Sequence, residues 1–173
     1  QVMAERVLAH LGALVPESVA VRSAELLGYL LREFVVAGEA RLVLGRVRMN
    51  QAKPHEAVDI LAPLTTQSPS MGAFYYYGEA LAAGRQFEAA LNAFDRAIAL
   101  NPQASAPWLG LSAAALGLGR DAQSEATFRR AVELEADPAL YRDHALDALG
   151  HGRDAAAYTA VRTYLEQKGI ADE

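Results

Sequence analysis

The sequence predicts an all-α protein built as an array of repeated helix pairs, and three observations lead to that prediction. Hydrophobic residues make up 52% of the 173 residues, a balance typical of packed globular proteins, while seven prolines punctuate the chain. Small residues recur at two fixed places in successive segments of 33 or 34 residues. The string Gly119-Arg120-Asp121-Ala122 also returns 33 residues later as Gly152-Arg153-Asp154-Ala155.

The segments, called repeats one to five below, form a single predicted array over residues 1–173. Their bounds are approximately 5–37, 38–70, 71–104, 105–137 and 138–173. The eighth position holds Gly12, Gly45, Gly78, Ser112 and Ala145, and the twentieth holds Ala24, Ala57, Ala90, Ser124 and Ala157. Two antiparallel helices can approach closely only where small residues meet, so each repeat is expected to be one helix pair.

Prolines, capping aspartates and turn glycines set the expected helix bounds. Prolines favour helix starts at Pro16, Pro54, Pro107 and Pro138, and suitable N-caps are Asp121, Asp137 and Asp154. Turns inside repeats are expected at Gly84, Gly119 and Gly152. The ten predicted helices cover residues 3–14, 17–36, 39–51, 54–66, 71–83, 86–100, 105–117, 121–135, 138–149 and 153–168. The last helix is polar enough that we expect it to close the open end of the array.

Repeat three closely resembles the tetratricopeptide repeat. The family's pattern of large and small residues is matched by Phe74, Tyr77-Gly78, Leu81, Ala90, Phe94, Ala97 and Pro102. The resemblance implies a right-handed superhelical solenoid of about five such repeats, with the first helix of each pair lining a concave groove. The Ala, Arg and Leu bias is typical of a GC-rich bacterial genome, so we expect a bacterial protein.

The resemblance also implies which residues would contact a partner in that groove. At the inward-facing family positions stand Leu42, Val43, Arg46, Met49, Asn50, Tyr75, Tyr76, Glu79, Leu109, Ala113, Leu116, Arg142 and Leu146. This set is mostly apolar, which suits a peptide or helix with apolar anchors. For Tyr75 and Tyr76 two interpretations stand side by side: they pack against neighbouring first helices, or they line the groove.

Repeat two departs from the family pattern at Arg41 and Arg48, where large apolar residues are usual. In one interpretation, the gap at Gly28 admits an arginine stem whose head pairs with Glu25 or Glu33. In the other, the helix is rotated and both arginines are solvated.

Several classes of function are disfavoured by composition. A net charge of −5 offers no basic field for nucleic acid, and the absence of Cys excludes thiolate metal sites. The histidines, at positions 10, 55, 144 and 151, lack metal-ligand spacing and are expected on the surface or in turns. The sequence contains no apolar run of the roughly 18–20 residues that cross a bilayer. We therefore expect no metal, no cofactor, no membrane insertion and no enzymatic activity.

The resulting hypothesis is a non-catalytic scaffold or adaptor, chaperone-like in shielding an apolar segment of a protein partner. The alternative is a regulatory or substrate-recruiting module from a larger enzyme, such as a glycosyl- or sulfotransferase. The carboxylate clamp of repeat co-chaperones is missing, since its positions hold Ala9, Ala13, Gly72 and Tyr76. Association into homo-oligomers is compatible with either. Because the sequence begins at Gln1 without an initiator Met, we expect that it was trimmed from a longer protein. We expect a cytoplasmic location, and export is the alternative if a leader was removed.

Overall fold

The computed structural model describes residues 38–137 and 139–169, in which all regular secondary structure is helical. The chain divides into two compact units, Gln1–Arg41 and Leu42–Glu173, and the packing below is that of the second unit. The helices predicted at 3–14 and 17–36 lie outside the described residues, as do Gly28, Glu25 and Glu33.

The described helices are consecutive and short-linked, which confirms the all-α class. Helix α1 covers residues 38–50. The others are α2 (Pro54–Leu61), α3 (Leu64–Gln67), α4 (Met71–Ala83), α5 (Phe87–Leu100), α6 (Ser105–Gly117), α7 (Asp121–Leu134), α8 (Ala139–Gly150) and α9 (Asp154–Gln167). The single helix predicted at 54–66 is wrong, because the structure ends α2 at Leu61 and begins α3 after Pro63. Proline has no N–H to continue the helical hydrogen bonds, which explains the break.

The helices stack as pairs. In each of repeats three to five the two helices pack on each other, and the first helices of successive repeats also meet, α4 with α6 and α6 with α8. The small residues predicted at the crossings of repeats two to five are all buried: Gly45, Ala57, Gly78, Ala90, Ser112, Ser124, Ala145 and Ala157. The solenoid of helix pairs is thereby confirmed over these repeats, and its steric basis is the one predicted.

In repeats two and three, a large residue at the twenty-fourth position fills the space beside the small residue at the eighth position. A Cβ placed on Gly45 would lie 2.6 Å from the Leu61 side chain, and one placed on Gly78 would lie 2.8 Å from the Phe94 ring. The same ring also closes the junction with repeat four, since a Cβ on Gly110 would approach it to 2.4 Å. Phe94 therefore occupies the centre of the core that repeats three and four share.

The turn inside each described repeat is a Schellman motif. In repeat two, the Ala52 amide donates to the Met49 carbonyl and the Lys53 amide donates to the Arg48 carbonyl. Equivalent bonds end α4, α6 and α8. The left-handed residue of the motif is Gly119 in repeat four and Gly152 in repeat five, as predicted, but in repeats two and three it is Ala52 (φ 56°) and Arg85 (φ 60°). Gly84 lies in the turn as predicted, at the C-cap of α4 with a φ of −77°, and the left-handed conformation falls on the next residue.

Helix starts differ in part from the predicted caps. Asp121 and Asp154 are the first helical residues, and the N-cap positions belong to Arg120 and Arg153, which make no side-chain capping bond. The reason is that the Schellman motif carries the chain directly into the next helix. Asp137 does accept a hydrogen bond from the Ala139 amide, at 2.8 Å, as a capping residue would.

The last helix pair exposes both apolar and polar side chains. Val161 and Tyr158 of α9 are exposed, as is Leu149 of α8. The exposed positions of α9 also include Asp154, Thr159, Arg162 and Glu166, so this helix presents a mixed polar and apolar surface.

Candidate functional site

A stripe of side chains runs across the first helices of repeats two to five. It consists of the fifth and ninth positions of each repeat, which are Leu42 and Arg46, Tyr75 and Glu79, Leu109 and Ala113, and Arg142 and Leu146. Because α4 contacts α6 and α6 contacts α8, these positions follow one another on adjacent helices. We call this set the first-helix stripe.

The polar centre of the stripe is the pair of Tyr75 and Glu79, one helical turn apart on α4. The Tyr75 hydroxyl donates to Glu79 Oε1 at 2.7 Å, and both side chains are partly buried. Burial raises the pKa of Glu79, while the Tyr75 hydrogen bond and the charge of Arg46 act in the opposite direction. Burial, followed by the charge of Glu79, raises the pKa of Tyr75, so its hydroxyl stays protonated as a donor.

Helix α1 reaches this centre through Arg46. Its guanidinium carbon lies 5.2 Å from the centroid of the Tyr76 ring, within the range of a cation–π contact. The Tyr75 and Tyr76 rings meet edge to face with centroids 5.1 Å apart, and Tyr75 lies 6.1 Å from Phe94. Both tyrosines thus pack against the helical core, as one of the two sequence interpretations held, and both keep part of their surface exposed.

Apolar surface is available on both sides of the tyrosines. Val43 of α1 is 59% exposed and Leu146 of α8 is 61% exposed. Leu109 and Ala113 of α6 are partly buried, and in the sequence they lie between Val43 and Leu146. The stripe therefore offers apolar side chains next to a polar and aromatic centre.

The remaining predicted residues divide into solvated and packed groups. Asn50 is exposed, and Arg142 is exposed with its Nη2 2.7 Å from Asp143. Leu42 and Met49 pack against the core of repeats two and three. Leu116 is 1% exposed and packs with Ala148 and Ala157 of repeat five, so its side chain lies in the core and is not available to a ligand.

Arg48, one of the two arginines at usually apolar positions of repeat two, makes polar contacts with its own repeat. Arg48 Nε lies 3.0 Å from Glu56 Oε2, and its Nη1 donates to Gln51 Oε1 at 2.8 Å. Arg41 is exposed. Arg48 therefore pairs with an acid at the start of α2, across the turn of its own repeat, and the residue pattern alone did not predict this pair.

His144 is buried, contrary to the expectation of a surface or turn histidine. Its ring stacks on Phe128 with centroids 4.1 Å apart, and its Nδ1 lies 3.4 Å from Ser112 Oγ. Ser112 in turn donates to the Ser124 carbonyl oxygen at 3.0 Å. Burial lowers the pKa of His144, against the opposing charge of Glu125. The position is buried because α8 docks on repeat four there, which leaves its serine and histidine without access for a substrate.

Within residues 38–137 and 139–169, no three His, Asp or Glu side chains gather as the ligands of a metal ion would. In the same part of the chain, no helix combines the length and apolar character needed to cross a bilayer.

Comparison with known proteins gives a family match and a set of similar structures. Residues 80–146 match the family model described as the tetratricopeptide repeat. The solved structure of MamA aligns with a TM-score of 0.63 and 22% identity over 87% of this chain and 88% of that one. MamA from Desulfovibrio magneticus RS-1 aligns with a TM-score of 0.64 and 16% identity, over 99% of this chain and 96% of that one.

A thermophilic TPR protein of Thermus thermophilus aligns with a TM-score of 0.65 and 24% identity, over 95% of this chain and 89% of that one. No curated protein matches the sequence. At these identities the structural likeness concerns the fold.

Proposed function

We propose that this chain, whose residues 80–146 match the tetratricopeptide repeat, is a non-catalytic scaffold or adaptor that binds a peptide or an apolar helix of a partner protein. The proposed binding surface is the first-helix stripe together with Val43 and Tyr76. One observation carries the proposal: exposed apolar side chains flank a centre in which Tyr75, Tyr76, Arg46 and Glu79 contact or face one another.

The chemistry of the stripe favours an amphipathic ligand. Val43 and Leu146 supply apolar contact, and a ligand that covers them removes apolar area from water. Tyrosine rings offer rigid apolar surface at a small entropic cost. Glu79 and Arg46 carry opposite charges, so a ligand that lies across both needs a polar group of its own between its apolar anchors. A uniformly apolar segment would cover the charged Glu79 carboxylate and leave the Tyr75 hydroxyl as its hydrogen-bond donor, so it would bind less tightly.

A library of displayed peptides panned against the whole chain tests the proposal. Enriched peptides are expected to carry apolar residues at helical or extended spacing, and to lose affinity about tenfold or more with Leu146→Glu or Val43→Glu. These two residues are preferred for substitution because their exposure leaves the core intact. Tyr75 packs near Phe94, so its replacement would also disturb the fold.

Leu100→Glu is the matched control, because Leu100 is also an exposed leucine but lies at the end of α5, on a second helix. Enriched peptides should bind that variant as they bind the parent chain. Equal affinity for Val43→Glu, Leu146→Glu and the parent chain, with an unchanged helical spectrum, would remove the stripe as the binding surface.

A further inference from the structure

We propose that the partner segment carries a lysine or arginine whose cationic head pairs with the Glu79 carboxylate, while apolar residues of the same segment contact Leu109 and Leu146. This inference rests on the proposed function and deepens it, because it names the chemical group that the first-helix stripe selects. Three features support it: the isolation of Glu79 from other charges on two adjacent helices, its incomplete hydrogen bonding, and the aromatic rings beside it.

Glu79 is the single charged residue on the first helices of repeats three and four. Helix α4 contains no other acid or base, and α6 contains no charged residue at all. At the ninth position, where α4 has Glu79, α6 has Ala113. The helix that contacts α4 from repeat four therefore supplies no counter-ion for this carboxylate.

The hydrogen bonds of Glu79 do not replace the water that burial removes. Among residues 38–137 and 139–169, the one donor to this carboxylate is the Tyr75 hydroxyl, which binds Oε1. Burial raises the pKa of Glu79 in spite of that bond and of the charge of Arg46, so the charged form is incompletely compensated. In the same residues every fully buried side-chain oxygen has a hydrogen-bond partner. Oε2 has none and therefore stays in contact with solvent, where a ligand can reach it.

The surroundings of Glu79 favour a basic group of the ligand over an acidic one. Arg46 is exposed and already contacts the Tyr76 ring, so a ligand carboxylate would gain little from it. The partly buried Glu79 gains more, because a charge-assisted hydrogen bond is stronger where water is scarce. The rings of Tyr75 and Tyr76 add to the preference, since aromatic faces attract cations.

The remainder of the stripe suits the apolar neighbours of such a residue. Leu109 is partly buried and Leu146 is 61% exposed, at the fifth position of repeat four and the ninth of repeat five. Arg142 Nη2 lies 2.7 Å from Asp143, so the charge of this arginine is partly neutralised within its own helix. The aliphatic stem of a lysine or arginine would itself cover part of the Tyr75 ring. A segment with a basic residue next to apolar ones therefore matches the order of groups along the stripe.

Peptides enriched from a displayed random library on the whole chain are the probe for this inference. They are expected to share a lysine or arginine with apolar residues beside it. Glu79→Gln should lower their affinity about fivefold, because the amide keeps an acceptor for the Tyr75 hydroxyl and loses the charge. Changing the basic residue of the peptide to methionine should cost the parent chain the same factor. The two changes together should cost no more than either alone, as expected of one shared contact.

Asp95→Asn is the matched control. It removes one negative charge from the exposed surface of α5, a second helix, and should leave the affinity unchanged. Leu146→Gln reports on the stripe without a change of charge and should weaken the same peptides. The methionine peptide needs no change to the protein, so it tests the contact even if Glu79→Gln alters the helical spectrum.

The outcomes separate this inference from the proposed function. Peptides that weaken with Leu146→Gln but bind Glu79→Gln as they bind the parent chain would overturn the cation contact and leave peptide binding at the stripe in place. Enrichment of acidic residues in place of basic ones would have the same meaning. If no peptide is enriched, or if Leu146→Gln binds as the parent does, both proposals are wrong.

Discussion

Arg153 at the start of α9 binds Asp121 at the start of α7 through two hydrogen bonds, from Nε at 2.8 Å and from Nη2 at 2.9 Å. Its guanidinium also donates to the Gly119 carbonyl oxygen at 2.9 Å. The repeated Gly-Arg-Asp-Ala string thereby acquires a structural role, because the arginine of one copy of the string holds the aspartate and glycine of the other. The contact joins the turns of repeats four and five on the surface of the stack.

Replacing Arg153 by lysine should lower the free energy of unfolding by about 0.5–1 kcal/mol, because an ammonium group cannot bind both carboxylate oxygens and the carbonyl in one plane. The loss should shrink at high salt, where the exposed pair is screened. Urea unfolding at low and high salt measures both effects.

Arg129→Lys is the control for that substitution. Arg129 is 3.5 Å from Glu125 within the same helix, and its side chain is more exposed than that of Arg153. No measurable change is expected. An equal loss for both substitutions would mean that the inter-repeat geometry of Arg153 adds nothing.

Gly110→Ala should destabilise the protein by about 1–3 kcal/mol, although alanine is the better helix former. The added methyl group would approach Phe94 to 2.4 Å, and that ring is 1% exposed and cannot move aside. Thermal or urea unfolding gives the change in free energy.

Gly72→Ala makes the opposite prediction with the same chemical change. Gly72 lies in the first turn of α4, and a Cβ there would have no atom within 4 Å. Helix propensity then acts alone and should raise stability by about 0.5–1 kcal/mol. If the two variants shifted stability in the same direction, contact with Phe94 would not be the reason that position 110 holds glycine.

The crossing residues show why much of the fold could be predicted from the sequence. Close helix packing requires a small residue at one fixed place in each helix, so the requirement repeats with the structure and is visible as Gly78 with Ala90 or Ser112 with Ser124. Leu116 and Leu149 show the limit of such a pattern. They occupy the same position and have the same side chain, yet Leu149 is exposed while Leu116 is buried against Ala148 and Ala157 of repeat five.

The stripe was predictable in position but not in contacts. The family register placed Tyr75, Glu79 and Arg46 on successive first helices. The hydrogen bond from Tyr75 to Glu79 and the position of Arg46 over Tyr76 depend on rotamers, which a residue pattern does not specify.

Ala52→Gly should raise the free energy of unfolding by about 0.5–1 kcal/mol. Ala52 has a φ of 56°, a left-handed conformation that costs a residue with a Cβ about 1–2 kcal/mol. Glycine adopts it freely, and part of the gain is lost to the greater entropy of the unfolded chain. Ala62→Gly is the control, since its φ of −52° is ordinary and the substitution there should destabilise.

The stability of the chain should fall below neutral pH because of His144. In the folded state, burial lowers the pKa of this ring below its ordinary value of 6.5, so the folded protein disfavours the proton that the unfolded chain accepts. This contribution to stability is complete above the unfolded pKa of about 6.5 and is lost as the pH falls through the folded pKa.

Comparison with His144→Gln isolates that contribution, because burial raises the pKa of Glu79, Asp147 and Asp95 and gives both proteins the same opposite trend. Urea unfolding at a series of pH values between about 7.5 and 5.5 should show the parent losing stability relative to the variant. Parallel pH profiles for the two proteins would contradict the prediction, since the ring would then bind its proton equally in the folded and unfolded states. The stability profiles of the parent and the variant are expected to converge toward low pH, because burial disfavours the charged imidazolium. The protonated ring must either stay buried beside Phe128 at that cost or leave the junction between repeats four and five.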